Sequence, residues 1–221
     1  MPGGISEIGT YHSDACMRLV AACHRAEIPL RHLRNIAGMK WDGPAGECAS
    51  RIHGLIGGGF IAVLLGPSGV GKTQIAASLM AHQVFTELGK QVGDRRRQPL
   101  YTTANQLFRK LREAFAPESK CSEDEIFQIF GDPALLIIDE LHELKLSEFE
   151  SRRLTELIDQ RYHSQKDTVL IANTGRAELG KQLGPSVVSR IHEIGEVVDC
   201  SEWPSFRVSR VPRLLEIGGG K

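Results

Sequence analysis

Gly66-Pro67-Ser68-Gly69-Val70-Gly71-Lys72-Thr73 fits the phosphate-loop pattern G-x-x-x-x-G-K-[ST] at every position. The flanks fit as well. Residues 60–65 (FIAVLL) form a short apolar run that reads as a buried strand. Residues 73–88 carry Ile75, Leu79, Val84 and Leu88 at helical spacing. Strand, glycine loop and helix in that order separate this reading from a chance glycine-rich turn. Glycines let successive backbone N–H groups curl around a phosphate chain, and the N-terminus of the following helix adds partial positive charge. Lys72 is placed to reach the β- and γ-phosphates, and the Thr73 hydroxyl to ligate Mg²⁺. All of residues 66–73 therefore belong to the predicted nucleotide site.

The 221 residues suit one α/β domain with a short appendage, and the 41% apolar content can build its core. Lys plus Arg and Asp plus Glu both number 27, so overall charge neither favours nor excludes nucleic acid. The five cysteines are scattered without a C-x-x-C pair. Cys16, Cys23 and His24 invite a metal reading but lack the usual close pair of ligands, so ordinary thiols are expected. No secretory segment opens the sequence, and no apolar run approaches the ~18 residues of a membrane span. A cytoplasmic protein without a membrane partner is the expectation.

Ahead of the loop, Cys16, Leu19, Val20 and Cys23 give one face of a short helix, ended by Pro29. Residues 28–41 read as a connector, with Trp41 either a packed aromatic or a neighbour of the adenine. Residues 45–56 look helical and are stopped by Gly57-Gly58-Gly59. After the loop helix, Arg95-Arg96-Arg97 lie in a polar turn, and Leu100-Tyr101-Thr102 is a second strand. Thr103-x-x-Gln106 resembles a capping box opening a helix that buries Leu107, Phe108, Leu111 and Phe115. Arg109, Lys110 and Arg112 occupy its other side. Ser122-x-x-Glu125 starts a further short helix.

Residues 134–140 (ALLIIDE) are the second anchor: a buried strand that ends in an acidic pair. Asp139 would hold Mg²⁺ directly or through water, and Glu140 would orient and deprotonate an attacking water. Ser147-x-x-Glu150 caps a helix carrying Leu154, Leu157, Ile158 and Tyr162. Residues 168–172 (TVLIA) form a fourth strand ending at Asn173, which is either a turn residue or a hydrogen-bond partner of the γ-phosphate or the water. Gly184-Pro185 marks a break, after which Ser186 is expected to cap a helix with Val187, Val188 and Ile191 on one side. Arg190 falls about 110° away on its flank, as a surface ion-pair partner or a reach toward another subunit's nucleotide. Residues 194–198 complete five strands.

This order of motifs resembles the AAA+ ATPases and, within them, the DnaC/IstB group of helicase loaders and transposition helper ATPases. The resemblance spans about residues 25–210. It rests on Ile28-Pro29-Leu30-Arg31, Tyr101-Thr102-Thr103 through Leu111-Arg112, Leu136-Ile137-Ile138-Asp139-Glu140, Arg161-Tyr162, Ala172-Asn173-Thr174, Val188-Ser189-Arg190 and Trp203-Pro204-Ser205-Phe206-Arg207. It implies a P-loop NTPase of AAA+ type, a three-layer sandwich around a five-stranded parallel sheet. It implies residues 1–45 as a helical, partner-binding segment, residues 46–210 as the ATPase domain and residues 211–221 as a flexible tail. ATP and Mg²⁺ are the implied ligands. Asn173 matches the first sensor, and Arg190 the arginine finger of a neighbour in a homo-oligomeric ring or spiral. Arg109, Lys110 and Arg112 match the position where loaders and initiators contact single-stranded DNA. Three features depart from the group: Glu140 where Asp is frequent, Ala172 where Ser is frequent, and no clear C-terminal lid after Cys200.

The function this implies is ATP-dependent loading of a replicative helicase in DNA replication, through contacts with the helicase and single-stranded DNA. Three alternatives stand beside it: a helper ATPase of a DNA transposase, a P-loop kinase for a small metabolite, and an ATP-binding scaffold with little turnover. Glu140, Asn173 and Arg190 together favour hydrolysis in an oligomer over the kinase, whose acidic residue need not sit beside a hydrolytic Glu.

Overall fold

The computed structural model describes residues 26–29, 31–32, 43–88, 98–114, 121–143 and 147–206. The helix expected over residues 13–23, the pair Cys16 and Cys23 with His24, Trp41, Arg95 to Arg97, Phe115, Arg207 and the tail lie outside these.

Strands β1 (Ile61–Leu65), β3 (Leu135–Asp139) and β4 (Asp167–Ala172) are buried along their whole length. Their sequences are continuous apolar runs because both faces of the sheet are covered. Strands β2 (Leu100–Thr103) and β5 (Gly195–Asp199) flank them and carry the half-exposed positions. The order is β2-β3-β4-β1-β5, and every pairing is parallel. The five-stranded parallel sheet is as expected, with β5 one residue later than its apolar pattern suggests.

Side chains alternate between two cores, as the period of two along a strand demands. On one face, Ala62, Leu64, Ile137, Val169 and Ile171 pack under α1 (Pro44–His53) and α2 (Lys72–Leu88). On the other, Ile61, Val63, Leu136, Ile138 and Leu170 pack under α3 (Ala104–Ala114), α4 (Glu123–Gly131), α5 (Glu148–His163) and α6 (Arg176–Ile194). The result is three layers. Helix α1 stops at His53, short of Ile56, because the chain turns at Gly54 toward the three glycines before β1.

The helix starts follow the local chemistry. Thr103 and Gln106 bond reciprocally, backbone to side chain, and so do Ser122 with Glu125 and Ser147 with Glu150. Ser186 is different. Gly184 adopts φ 76° and ψ 165°, which breaks α6 into two stretches and places Pro185 at the first helical position of the second. Gly184 thus takes the capping position, and Ser186 sits inside the helix. Its Oγ accepts from Arg190 Nη1 at 3.1 Å instead.

The amino ends of the strands are closed by two buried charges. Arg161 is fully buried on α5. Its Nε donates to Thr168 Oγ1 (3.0 Å), its Nη1 to the carbonyls of Phe130 (2.9 Å), Gly131 (3.1 Å) and Pro133 (3.0 Å), and its Nη2 to Asp167 O. Burial pulls this guanidinium down to about 9, still a cation at neutral pH. The Asp167 carboxylate accepts from the N–H groups of Gly57 (2.6 Å), Gly59 (2.8 Å) and Phe60 (3.2 Å), which pins the entry to β1. Burial raises its carboxyl above the usual range, while those N–H groups and Arg161 pull it back down.

Candidate nucleotide site

The carboxyl ends of β1, β3 and β4 converge on the opposite edge. As β1 ends, Gly66, Gly69 and Gly71 take φ values of 129°, 93° and 99°, which L side chains avoid. Two of them are also crowded. A Cβ on Gly66 would stand 2.9 Å from the Cys200 carbonyl carbon, and one on Gly71 would stand 3.1 Å from the Phe206 ring. The chain after β5 therefore runs along the loop, held by Cys200 N–H to Leu65 O (2.8 Å) and Phe206 N–H to Gly69 O (3.0 Å). Burial pushes the Cys200 thiol up to about 12 and that of Cys48 to about 11, so both are neutral thiols. Among the described residues no cluster of His, Cys, Asp and Glu could hold a metal.

Lys72 opens α2 and is buried, with Nζ donating to Gly66 O (2.7 Å) and Pro67 O (2.8 Å). Its ammonium folds onto its own loop, where phosphate oxygens could replace those carbonyls. The Thr73 hydroxyl donates to Asp139 Oδ2 at 2.8 Å. Tyr101 Oη donates to the same oxygen at 2.9 Å, and Glu140 N–H to Oδ1 at 2.7 Å. Burial, reinforced by the Asp139 charge and its hydrogen bond, holds the Tyr101 phenol well above its ordinary range, so it remains a donor. Thr73 and Asp139 thus bring a hydroxyl and a carboxylate together, oxygen donors of the kind that Mg²⁺ takes. The positive-φ glycines and the buried Lys72 fit a phosphate chain in the same way.

Glu140 leaves β3 at φ 61°, in the left-handed region that a non-glycine residue enters only when its surroundings hold it there. A 3₁₀ turn (Leu141–Glu143) follows, anchored by the buried Leu141. This turn delivers His142 to the end of β4. There the Asn173 N–H donates to His142 Nδ1 (3.1 Å), and the Asn173 side-chain amide lies 3.1 Å from His142 Nε2 and 2.9 Å from Ser68 Oγ.

The fold thus gathers Lys72, Thr73, Asp139, Glu140 and Asn173 at one edge. Arg190 is not among them. On α6 its Nε is 2.7 Å from Asp159 Oδ1 on α5, its Nη1 donates to Ser186 O and Oγ, and its guanidinium lies 5.2 Å from the Tyr162 ring centroid. The cations of α3 also have partners: Arg109 with Glu113 (3.8 Å), Lys110 with Glu27 (3.3 Å) and Arg112 with Glu150 (3.8 Å). Arg109 and Arg112 nevertheless remain exposed.

Two contacts were not legible from the motifs. The sequence marks Tyr101 as a strand residue, and the parallel pairing of its strand with the one ending in Asp139 is what brings the two together. The His142 contact depends on the turn after Glu140 and has no local signature. Ahead of α1, Ile28 is buried, Ala26 O accepts from Tyr101 N–H, and Gln74 Nε2 donates to His32 O (2.9 Å).

Comparison with known proteins gives the family and the fold. The family model described as IstB-like ATP binding protein matches residues 45–191. The replicative helicase loader DnaC of Escherichia coli K12 is 26% identical over 149 residues, covering 67% of this chain and 56% of that protein. The insertion sequence IS5376 putative ATP-binding protein of Geobacillus stearothermophilus is 30% identical over 127 residues, covering 58% of this chain and 45% of that protein. The chain spans about half the length of these curated relatives. Among solved structures, the DnaC helicase loader superposes with a TM-score of 0.61 at 20% identity, covering 76% of this chain and 98% of that one. AMPPCP-bound DnaA from Aquifex aeolicus superposes with a TM-score of 0.57 at 18% identity, covering 72% of this chain and 47% of that one. The fold is the one these two structures share.

Proposed function

The chain belongs to the IstB-like ATP-binding family, and from that premise we propose that it is a Mg²⁺-dependent ATPase that loads a replicative helicase onto single-stranded DNA. The observation that carries the ATPase reading is the Asp139 carboxylate. It accepts from Thr73 in the phosphate loop and is followed at once by Glu140, while Asn173 reaches Ser68 from the next strand. In this reading the loop N–H groups and Lys72 hold the phosphates, and Thr73 and Asp139 hold the metal. The bound Mg²⁺ supplies positive charge against the phosphate oxygens. Glu140 orients the attacking water and takes its proton, and Asn173 hydrogen-bonds the γ-phosphate or that water.

Arg190 acts in trans in this proposal, on a nucleotide bound by the neighbouring copy in a homo-oligomer. Its ion pair with Asp159 is then the resting arrangement that assembly exchanges for a phosphate contact. Arg190→Ala and Lys72→Ala proteins, each inactive alone, should partly recover hydrolysis when mixed. No recovery in mixed oligomers shown to form would place Arg190 within one subunit.

The helicase-loading reading draws on the similarity to DnaC, and the similarity to the IS5376 protein supports a second one, a helper ATPase for a transposase. Co-purification separates them. A hexameric helicase retained by the tagged protein, with ATP turnover altered by single-stranded DNA, supports loading. A transposase retained instead, with no helicase bound, supports the second reading. ATP consumed only when a small acceptor is phosphorylated would overturn both in favour of a kinase. A cytoplasmic location accords with either reading, and no helix among the described residues is long and apolar enough to cross a membrane.

A further inference from the structure

Asn173 is the first residue beyond β4, exposed, with a side chain that nothing in the strand itself would hold. Its amide nonetheless has two contacts from different parts of the chain. One is Ser68 in the phosphate loop, and the other is His142, 31 residues upstream in the turn after the acidic pair. The ring meets Asn173 twice, at the backbone N–H and at the side-chain amide, and so fixes both the end of the strand and the amide's direction. The turn that carries the ring is itself fixed. Glu140 at φ 61° bends the chain out of β3, and Leu141, 2% exposed, anchors it in the core under α3. His142 is therefore the piece through which the turn after Glu140 and the end of β4 are tied together.

We propose that His142 is a positioning residue for Asn173, setting the direction of its amide against the phosphate loop and so the rate of hydrolysis rather than the affinity for ATP. The inference rests on the ATPase reading, with Asn173 acting at the γ-phosphate or the attacking water. In that role a misdirected amide lowers the rate without loosening the loop, because phosphate is held by the loop N–H groups, Lys72 and Thr73, and these two side chains bond Gly66, Pro67 and Asp139.

The test is a double-mutant cycle with a readout in the nucleotide-free protein beside it. ATP turnover at saturation, ATP affinity and melting temperature are measured for wild type, His142→Ala, Asn173→Ala and the double variant. Exchange of the Asn173 backbone N–H is followed without nucleotide. His142→Ala should lose about five- to tenfold in turnover, the rate equivalent of one net hydrogen bond. Its ATP affinity should stay at the wild-type value, its melting temperature should fall by no more than about 2–4 °C, and the double variant should be no slower than Asn173→Ala alone. The Asn173 N–H should exchange faster in His142→Ala, and His142→Gln, which keeps an acceptor at that position, should restore part of both losses. Wild-type turnover in His142→Ala, or the same fold-loss in both backgrounds, would overturn the proposal. The exchange arm keeps the two readings apart. A wild type that hydrolyses no ATP sinks the ATPase reading, whereas unchanged exchange of the Asn173 N–H in His142→Ala sinks the positioning role whatever the turnover.

Discussion

At the carboxyl ends of the strands, polar groups lie in or beside a glycine loop, where Lys72 bonds its own loop carbonyls and Asn173 reaches across from β4. At the amino ends, Arg161 and Asp167 are enclosed, and their groups bond carbonyls and N–H groups that cannot move away. Both edges hold buried charge, but they answer to different demands. Lys72 can exchange its carbonyl partners for phosphate oxygens. Arg161 has no such exchange open to it, because it joins the end of α4, the start of β3 and the start of β4 into one unit. A buried charge whose partners are fixed at the ends of helices and strands serves the fold, and one bound to an adaptable loop serves a ligand.

The largest expected effect breaks this division at the phosphate edge. Lys72→Ala should abolish turnover and weaken ATP binding while the melting temperature moves little, because the fold does not hang on that ammonium. A folded Lys72→Ala protein with wild-type ATP affinity, measured by titration with a fluorescent analogue, would remove the site from this loop.

At the other edge the expected effect falls on stability. Arg161→Leu leaves the carbonyls of Phe130, Gly131, Pro133 and Asp167 without their donor, at a cost of about 3–5 kcal/mol by denaturant titration. The surviving folded fraction should still bind ATP. Loss of binding in that fraction would show that the two edges are not separable.

Asp167→Asn is a milder cut, about 1–2 kcal/mol, because the amide keeps one acceptor oxygen but turns donors toward a backbone N–H. Its pH dependence sharpens the comparison. The folded-state carboxyl is raised, so between the ordinary carboxylate value and that raised value the folded state holds more protons than the unfolded one. The contribution is greatest in acid and is lost as pH rises through that window. The stability advantage of wild type over Asp167→Asn should therefore widen on acidification. A narrowing would mean that the three N–H bonds outweigh burial.

The smallest effect concerns α3. Changing Arg109 and Arg112 to Ala should alter stability by under about 0.5 kcal/mol, since both guanidinium groups are exposed, each ion pair spans 3.8 Å, and the buried Glu150 keeps its bonds to Ser147. If this face contacts single-stranded DNA, the salt dependence of binding should become shallower by about one to two units. Superimposable salt titrations would move the contact to another surface.

What could be read in advance follows the range of each interaction. The three capping boxes are written within four residues of sequence, and the apolar runs of β1, β3 and β4 within six, so both were legible. The phosphate loop and Asp139 were legible because their chemistry demands fixed residue types at strand ends. Arg161 reads as an ordinary helix residue, since three of its four carbonyl partners lie 28 to 31 residues upstream. Tyr101 meets Asp139 across 38 residues, and His142 meets Asn173 across 31, for the same reason. Ser186 misled because a serine before an apolar pattern suits a cap, while the left-handed Gly184 and Pro185 had already set the boundary.

The central claim is that the edge carrying Asp139 and Glu140 hydrolyses the nucleotide bound at the loop. Glu140→Gln tests it most directly, because the substitution keeps the size and the hydrogen-bonding reach of the side chain and removes its basicity. Mg-ATP affinity and single-turnover hydrolysis should be measured on the same purified protein. The account predicts wild-type affinity with hydrolysis slowed by about 10²- to 10⁴-fold, the loss of a general base. Near-normal hydrolysis in that variant would contradict it.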